Sequence, residues 1–259
     1  MLKLVFVSFL MVVAAVPSWA VCNRIYTVGR NTDTIKKDKE GVNLISIELF
    51  NELRKHVDCV YNERSYAFDR GYNEMRHNRI DLYAFTLTNK EWDKVANPLV
   101  LYSVTRLLIV NKKVFQAKFK AEDYFQNQKI NFGLVRGGVA FIEPDELKLL
   151  IAENRARFES FPDDVIELLV KGKVDAVLTS PAFLTRYMKE FPQLKTEFVV
   201  IPDPRMKYNF ALYMSQKRLN PHEQKQFIDV IRDMIHEGIP RNILKKYVTP
   251  QELEAYYSF

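Results

Sequence analysis

Residues 78–82 (NRIDL) and 172–176 (GKVDA) carry the same short pattern, and this repeat indicates the class of fold. Each segment opens on Asn or Gly, the residues suited to the left-handed position that ends a helix. A basic residue, an apolar residue and an aspartate then lead into an apolar strand. Each predicted strand ends at hydroxyl residues, at 86–88 (TLT) and at 179–180 (TS). The repeat therefore predicts two similar units, each with a buried strand whose carboxyl end carries hydroxyls.

Alternating strand and helix patterns surround both segments. Around the first, the periodicity predicts strands at 24–28, 59–62 and 80–85 and helices at 43–56, 68–77 and 88–95. Around the second, it predicts strands at 130–135 and 174–178 and helices at 144–152, 162–171 and 181–189. Strands separated by helices indicate parallel βαβ units, whose ligands bind outside the carboxyl ends of the strands. The hydroxyls of the two units are therefore expected to face one cleft.

Two continuous apolar runs bracket the second unit, at 107–111 (LLIVN) and 197–202 (EFVVIP). They predict two strands that cross between the units and form a hinge. The chain is thereby divided into a first part of lobe 1, a lobe 2, and a return to lobe 1 with the C-terminal helices. The predicted bounds of these three parts are 21–110, 111–200 and 201–259.

The composition excludes several classes of protein. With 259 residues, 47% of them hydrophobic and 27% charged, the chain has the make-up of a globular protein rather than a disordered or collagen-like one. The net charge of +6 is spread along the chain without a basic stripe, so we expect no nucleic-acid partner. Two cysteines and four scattered histidines show no metal-ligand spacing, so we predict neither a metal site nor another cofactor.

The first twenty residues, MLKLVFVSFLMVVAAVPSWA, are typical of a secretory signal peptide. They contain one early lysine, an apolar run at 4–16 that is short for a membrane span, and a small-x-small ending. Cleavage is expected after Ala20, which exports residues 21–259. A lipidated Cys22 is the alternative, but residues 19–21 (WAV) lack the Leu-small-small pattern that lipidation requires.

Export would place both cysteines in an oxidising compartment, where a pair is more often a disulfide than a catalytic thiol. Cys22 opens one strand-like segment and Cys59 opens another. If these strands are parallel neighbours, both cysteines lie at the same end of the sheet, and we predict a Cys22–Cys59 bridge. Two free buried thiols are the alternative.

Several segments match one known family in order and spacing. They are 26–29 (YTVG), Gly41, 78–88 (NRIDLYAFTLT), 97–98 (NP), 101–102 (LY), 132–138 (FGLVRGG) and 172–178 (GKVDAVL). Through them the chain resembles the family 3 extracellular solute-binding proteins, the periplasmic receptors of polar amino-acid importers, over essentially its whole length after the signal peptide. The resemblance implies the type II periplasmic binding-protein fold, in which two Rossmann-like α/β lobes are joined by a two-strand hinge. It also implies a periplasmic monomer that binds a small molecule.

The family's clamp for an α-amino acid is missing at both ends. In the family's first-lobe motif, Thr-x-Thr-x-x-Arg, the arginine binds the ligand α-carboxylate, and here Thr86 and Thr88 are followed by Glu91 at the arginine position. A carboxylate there would repel an α-carboxylate. The alternative is that Glu91 serves with Thr88 as a helix capping box and does not face the ligand. The family's aspartate for the α-ammonium group aligns with Ser180, which with Pro181 suffices as a helix start. We therefore expect a ligand other than a standard α-amino acid in the usual pose, or a protein without a transport role.

The other candidates for ligand contact come from strand ends and one glycine turn. Gly137 and Gly138 lie where a strand leads into a helix, so their amides suit an anionic group. Arg136 beside them could add a positive charge, and its alternative role is that of a solvated loop residue. Tyr66 stands where the family often has an aromatic that stacks on the ligand, and core packing is its alternative role. The predicted ligand-binding residues are Arg30, Tyr66, Thr86, Thr88, Arg136, Gly137, Gly138 and Ser180.

Three functions are compatible with these residues. The first is capture of a small polar or anionic solute for an ABC-type importer, with lobe closure signalling occupancy to the permease. The second is a periplasmic sensor or adaptor that presents the closed shape to a membrane signalling protein. The third, a dehydratase-like enzyme, would need a proton-transfer pair in the cleft, and Glu91 has no visible partner in the sequence. We therefore expect a binding protein without catalytic residues.

Overall fold

A computed structural model describes residues 22, 24–31, 42–57, 59–66, 68–88, 90–135 and 141–259, and the predicted signal peptide lies outside them. The strands are β1 (Tyr26–Asn31), β2 (Tyr61–Tyr66), β3 (Leu82–Leu87), β4 (Ala96–Asn111), β5 (Phe132–Val135), β6 (Ala156–Glu159), β7 (Ala176–Thr179), β8 (Phe198–Ser215) and β9 (Tyr257–Ser258). The helices are α1 (Val42–His56), α2 (Phe68–Arg76), α3 (Ala121–Gln126), α4 (Pro144–Ala152), α5 (Pro162–Val170), α6 (Pro181–Glu190), α7 (Leu194–Glu197), α8 (Pro221–His236), α9 (Ile239–Leu244) and α10 (Pro250–Tyr256). None of the helices in the described part of the chain has the length and apolar character that a membrane span needs.

One mixed sheet runs through the molecule in the order β2-β1-β3-β8-β4-β7-β5-β6, with β9 paired to β4. In lobe 1, β1 is parallel to β2 and β3, and in lobe 2, β5 is parallel to β6 and β7. Between these sets the long strands β4 and β8 lie antiparallel and belong to both lobes. The predicted α/β fold, with two lobes joined by a two-strand hinge, is therefore confirmed. The bounds 21–110, 111–200 and 201–259 stay a prediction.

The two hinge strands change register at two points, between Val100 and Tyr102 and between Thr105 and Arg106 of β4. Thr105 of β4 pairs with Lys207 of β8, but the next residue, Arg106, pairs with Asp203. Residues 204–206 of β8 are thus extra in the ladder with β4, and such a β-bulge bends the strand that contains it. The register change at Arg106 is the larger of the two, since the one at Leu101 leaves out a single residue of β4.

Each lobe closes around apolar cores that its helices cover. In lobe 1, Val28 of β1, Leu49 of α1 and Phe227 of α8 are fully buried in one cluster. In lobe 2 there is a core on each face of the sheet, and the neighbouring residues Leu107 and Leu108 of β4 point into different ones. A strand that is covered on both faces has no polar side, which is why this part of β4 reads as a continuous apolar run.

The two predicted helix ends and the predicted disulfide are confirmed. Asn78 and Gly172, each two positions after the last residue of α2 or α5, have positive φ angles of 57° and 64°. Cys22 and Cys59 are bonded beside the amino ends of β1 and β2, with Cα atoms 5.3 Å apart. These strands are the parallel neighbours that the prediction required.

The helix predicted at 88–95 is wrong. In the described part of this stretch the only helical turn is a 3₁₀ turn at Trp92–Lys94. The indole of Trp92 is buried against the rings of Tyr72, Tyr83 and Tyr213, with centroids 5.8, 4.5 and 5.2 Å away. Packing of this large ring outweighs the weak helical preference of the local sequence.

The C-terminal segment contacts both lobes. The helix α9 packs on α1 and α8. The helix α10, however, also reaches lobe 2, because Thr185 of α6 donates from Oγ1 to the carboxylate of Glu252 at 3.2 Å. After α10, the short strand β9 pairs with Ser103 and Val104 of the hinge strand β4.

Candidate functional site

Two hydroxyl residues stand at equivalent strand ends in the two lobes. Thr86 lies near the carboxyl end of β3, and Ser180 directly follows β7. Both strands occupy the same place in their lobes, between a parallel neighbour and an antiparallel hinge strand. Thr86 and Ser180 are buried, with 8% and 6% of the residue surface exposed. Because ligands of open α/β sheets bind at the carboxyl ends of such strands, these hydroxyls define the candidate site.

Ser180 also starts the helix α6. Its Oγ accepts a hydrogen bond from Phe183 N at 3.5 Å, and Pro181 occupies the first helical position. The predicted helix start is therefore confirmed. This cap uses a lone pair of the hydroxyl oxygen and not its hydrogen, so the Ser180 hydroxyl can cap the helix and still donate to a solute.

Polar contacts join the end of β3 to the hinge strands. Thr88 N donates to the carbonyl of Asn209 on β8 at 2.8 Å. The side-chain oxygen of Asn209 accepts in turn from Ser103 Oγ on β4 at 2.7 Å. Sequence reasoning missed Ser103 and Asn209, because neither belongs to a motif and both gain their place from the pairing of β4 with β8.

Lobe 2 contacts the apolar core of lobe 1 beside the hinge. Phe141 and Ala182 belong to lobe 2 but are buried in the same cluster as Tyr102 and Phe210 of the hinge strands. The rings of Tyr102 and Phe210 stack with centroids 4.9 Å apart. The ring of Phe141 meets Tyr208 of β8 edge-on, with centroids 5.3 Å apart. The two lobes are therefore in direct apolar contact in this structure.

A buried arginine ties the hinge to lobe 2. Arg106 of β4 has no exposed surface, and its Nη2 donates to Asp203 Oδ2 at 2.6 Å and to Glu146 Oε1 at 2.8 Å. Its Nη1 pairs with the other oxygen of Glu146 and donates to the carbonyl of Phe141 at 3.1 Å. The guanidinium also lies over the ring of Phe125, 4.9 Å from its centroid. The sequence did not predict this cluster, because the apolar run that revealed the strand begins one residue after Arg106.

The cluster fixes the charge states of two hinge residues. Burial alone would raise the pKa of Asp203, but the hydrogen bonds from Arg106 and Arg205 outweigh burial and hold that pKa below its usual value. Burial raises the pKa of Tyr208 far above its ordinary value, and the positive charge of Arg106 opposes only part of the rise. At neutral pH the hinge therefore holds an ionised Asp203 and a neutral Tyr208.

The structure places Arg30 and Tyr66 within packed parts of lobe 1. The guanidinium of Arg30 pairs with Glu63 of β2 and lies over the ring of Phe50 of α1, 4.9 Å from its centroid. Tyr66 ends β2 and is buried in the cluster that contains Trp92. These contacts account for both side chains within lobe 1, and their roles in ligand binding stay predictions.

The remaining predicted positions add little to the described site. Arg136, Gly137 and Gly138 lie outside the described residues. Glu91 is exposed, and its two carboxylate oxygens accept from Lys94 Nζ at 2.6 and 2.7 Å. In the part of the chain that the structure describes, no group of His, Cys, Asp and Glu side chains is arranged to hold a metal ion. The described site therefore consists of hydroxyls, one amide and aromatic rings, next to a buried ionic cluster.

Comparison with known proteins bears on the fold. No protein-family model matches the chain, and no curated protein matches it in sequence. Solved structures do match it. A histidine kinase sensor domain with similarity to periplasmic binding proteins is 15% identical and superposes with a TM-score of 0.68, over 87% of this chain and 96% of that one.

Two amino-acid-binding proteins match to a similar degree. An ancestral arginine-binding protein bound to arginine is 15% identical, with a TM-score of 0.67 over 86% of this chain and 97% of that one. The arginine-, lysine-, histidine-binding protein ArtJ from Geobacillus stearothermophilus is 15% identical, with a TM-score of 0.62 over 86% and 95%. The chain thus has the type II periplasmic binding-protein fold, and these structural neighbours are binding or sensor proteins.

Proposed function

We propose that the protein is a periplasmic solute-binding protein that captures a small polar or anionic solute between its lobes and delivers it to an ABC-type importer. The observation that carries the proposal is the placement of Thr86 and Ser180 at equivalent strand ends of two hinged lobes. A solute held by both hydroxyls would favour the closed arrangement, which an importer can recognise. The Cys22–Cys59 disulfide supports a location in an oxidising compartment.

The proposed solute is not a standard α-amino acid in the usual pose. The position of the family's arginine holds Glu91, which is paired with Lys94, and the position of the family's aspartate holds Ser180. Hydroxyls can donate to or accept from a neutral polar group without any charge on the solute. An anionic solute would depend instead on Arg136 and the amides of Gly137 and Gly138.

Sensing is the second candidate function. The similarity to a histidine kinase sensor domain, over 87% of this chain, favours it. In this version the closed lobes would act on a membrane signalling protein instead of releasing the solute. For both versions we propose binding without catalysis, in line with the binding and sensor proteins among the structural neighbours.

A thermal-shift screen of the exported, purified protein tests the proposal. The panel contains amino acids, dicarboxylates, polyamines and sugars. A solute present at about 100 times its Kd stabilises the folded state by about 2.7 kcal/mol, because it binds the folded state preferentially. A rise of several degrees in Tm is therefore expected with one chemical class, and no rise with any compound would count against the proposal.

Two variants locate the binding site. Thr86→Val and Ser180→Ala should each weaken binding of the identified solute about tenfold, which corresponds to one lost hydrogen bond of about 1.4 kcal/mol. Ser180→Ala also removes a helix cap, so the matched control is Thr249→Ala, which removes the cap of α10 on Glu252 N. The control should lose similar stability, about 1 kcal/mol, with unchanged binding. Unchanged binding in both hydroxyl variants would place the site elsewhere.

Uptake measurements separate the importer from the sensor. In source cells that lack the protein, loss of uptake of the identified solute would support delivery to an importer. Unchanged uptake together with a lost transcriptional response to the solute would support sensing instead.

A further inference from the structure

Phe141 reaches from lobe 2 into lobe 1. It lies between β5 and α4 of lobe 2, yet only 7% of the residue is exposed, and its ring is buried with Tyr102 and Phe210 of the hinge strands. The edge-on contact with Tyr208 adds a third hinge-strand residue to its surroundings. A lobe 2 side chain therefore fills apolar space where the lobes meet.

The backbone of Phe141 is strained. Its φ angle is 70°, in the left-handed region that residues with a Cβ atom rarely adopt. Such a conformation persists only where the surroundings hold it, and it is most common at functional positions. Two contacts hold it here, namely the burial of the ring and the hydrogen bond from Arg106 Nη1 to the Phe141 carbonyl at 3.1 Å.

Arg106 connects this strained residue to the hinge. It sits at the larger of the two register changes between β4 and β8, opposite Asp203, to which it is bonded. Its second carboxylate partner, Glu146, accepts a hydrogen bond from Glu143 N at 3.1 Å, which fixes the start of α4. Bending at the bulge would therefore move the group that holds the Phe141 carbonyl.

We propose that Phe141 is a steric latch, a residue of lobe 2 whose ring holds the lobes together without a solute and sets the upper size of the solute that the cleft admits. Arg106 is its positioning residue. The holding role follows from the burial, the backbone conformation and the Arg106 contact, and only the size limit rests on the proposed function. On this proposal the ring and a solute in the cleft occupy the same space, so shortening the side chain should both loosen the lobes and admit larger solutes.

The holding role is tested by small-angle X-ray scattering on Phe141→Ala without any solute. Its radius of gyration should exceed that of the unaltered protein, because the apolar contact between the lobes is lost. The matched control is Phe227→Ala, which removes a fully buried ring from the core of lobe 1. The control should lose stability without an increase in radius of gyration. A folded Phe141→Ala protein with the unaltered radius of gyration would overturn the latch.

Phe141→Leu keeps the test decisive if the alanine variant does not fold. It retains part of the apolar contact, so a smaller increase in radius of gyration is expected, and no increase would again overturn the latch. Far-UV circular dichroism on each variant confirms that the fold is retained before scattering is interpreted.

The size limit is tested by thermal shift with straight-chain dicarboxylates from oxalate to adipate. Phe141→Ala should respond to longer members of the series than the unaltered protein does. The same responding members in both proteins, with equal shifts, would overturn the size limit while leaving the proposed function intact. No response in either protein, together with a larger radius of gyration in Phe141→Ala, would leave the latch in place and count against an anionic solute.

Discussion

The junctions that lead into β3 of lobe 1 and β7 of lobe 2 are built from the same pair of hydrogen bonds, one between backbone groups and one to an aspartate side chain. In lobe 1, Asp81 N donates to the carbonyl of Thr27 at 2.8 Å, and the Asp81 carboxylate accepts from Thr27 N at 2.7 Å. In lobe 2, Asp175 N donates to the carbonyl of Asn131 at 2.8 Å, and the Asp175 carboxylate accepts from Asn131 N at 2.9 Å. The aspartate shared by the two sequence segments therefore has one local role, which is to bridge two neighbouring parallel strands.

The helix ends before these aspartates match as well. Asn78 N donates to the carbonyl of Met75 at 2.9 Å, and Gly172 N donates to the carbonyl of Leu169 at 3.0 Å. The next residue in each lobe donates to a carbonyl five positions back: Arg79 N to Glu74 at 2.9 Å, and Lys173 N to Leu168 at 2.8 Å. This pair of bonds is the Schellman motif, which requires the left-handed residue that the sequence predicted.

The lobes differ in what surrounds the aspartate. The Asp81 side chain is fully buried and accepts from Arg24 at 2.9 Å and from Arg218 at 2.7 Å. Arg24 continues to Glu223 at 2.8 Å, so segments far apart in the chain meet at Asp81. Asp175 is partly exposed, and its additional contact is to the Asn131 side-chain amide at 3.2 Å. One local pattern thus forms a buried ionic centre in lobe 1 and a surface turn in lobe 2, according to the partners that the rest of the chain supplies.

Replacing the two aspartates should give the largest difference in stability between the lobes. Asp81→Ala removes the acceptor that Arg24, Arg218 and the Thr27 amide share, so we expect a loss of about 3 kcal/mol in the free energy of unfolding. Asp175→Ala leaves only groups close to solvent, and the expected loss is about 1 kcal/mol. Urea-induced unfolding of both variants measures the difference. Equal losses would show that the arginines add nothing to the shared junction.

The lobes also differ, to a smaller extent, in the space around one glycine on the strand beside each junction. Gly29 of β1 and Gly133 of β5 occupy the same register, opposite Tyr83 and Val177. A Cβ atom at Gly29 would lie 2.6 Å from the ring of Tyr83, whereas a Cβ atom at Gly133 would lie 3.0 Å from the nearest atom, a methyl group of Val165.

Overpacking should therefore be worse in lobe 1. We expect Gly29→Ala to cost about 2 kcal/mol and Gly133→Ala about 1 kcal/mol. The Tyr83 ring is confined between Gly29 and Gly71, where a Cβ would also approach it to 2.4 Å, so the ring has little room to move. Thermal unfolding of the two variants provides the measurement. A larger loss for Gly133→Ala would contradict the assignment of tighter packing to lobe 1.

The repeat and the hinge could be predicted because they rest on local signals, and the disulfide because the chain has two cysteines, each of which opens a strand-like segment. Left-handed helix ends, apolar strand starts and hydroxyl strand ends are short patterns that backbone chemistry imposes on the sequence. The predicted core strand of the hinge was correct for the same reason, since residues 107–110 are covered on both faces and read as an apolar run. The first half of β4, from Ala96, escaped prediction because it includes Pro98 and because residues 97–100 are only half-buried or exposed.

The rest of the site could not be predicted because it depends on contacts between distant segments. Arg106 meets Asp203 only through the pairing of β4 with β8, and it meets Phe141 only after lobe 2 has folded. Ser103 and Asn209 meet by the same strand pairing. An arginine directly before an apolar strand was the one available signal, since a charge adjoining a core must find partners when it is buried.

The smallest contrast concerns the two helix ends, where the lobes use different residues for the same conformation. Gly172→Ala should cost about 1 kcal/mol, because a Cβ atom is strained at its φ angle of 64°. No atom lies within 4 Å of that Cβ position, so the loss reflects backbone conformation and not a clash. Asn78→Gly relieves a milder strain but frees the unfolded chain, so its stability should change by less than about 0.5 kcal/mol. Thermal unfolding compares the two, and a neutral Gly172→Ala would mean that this helix end relaxes out of the left-handed conformation at no cost.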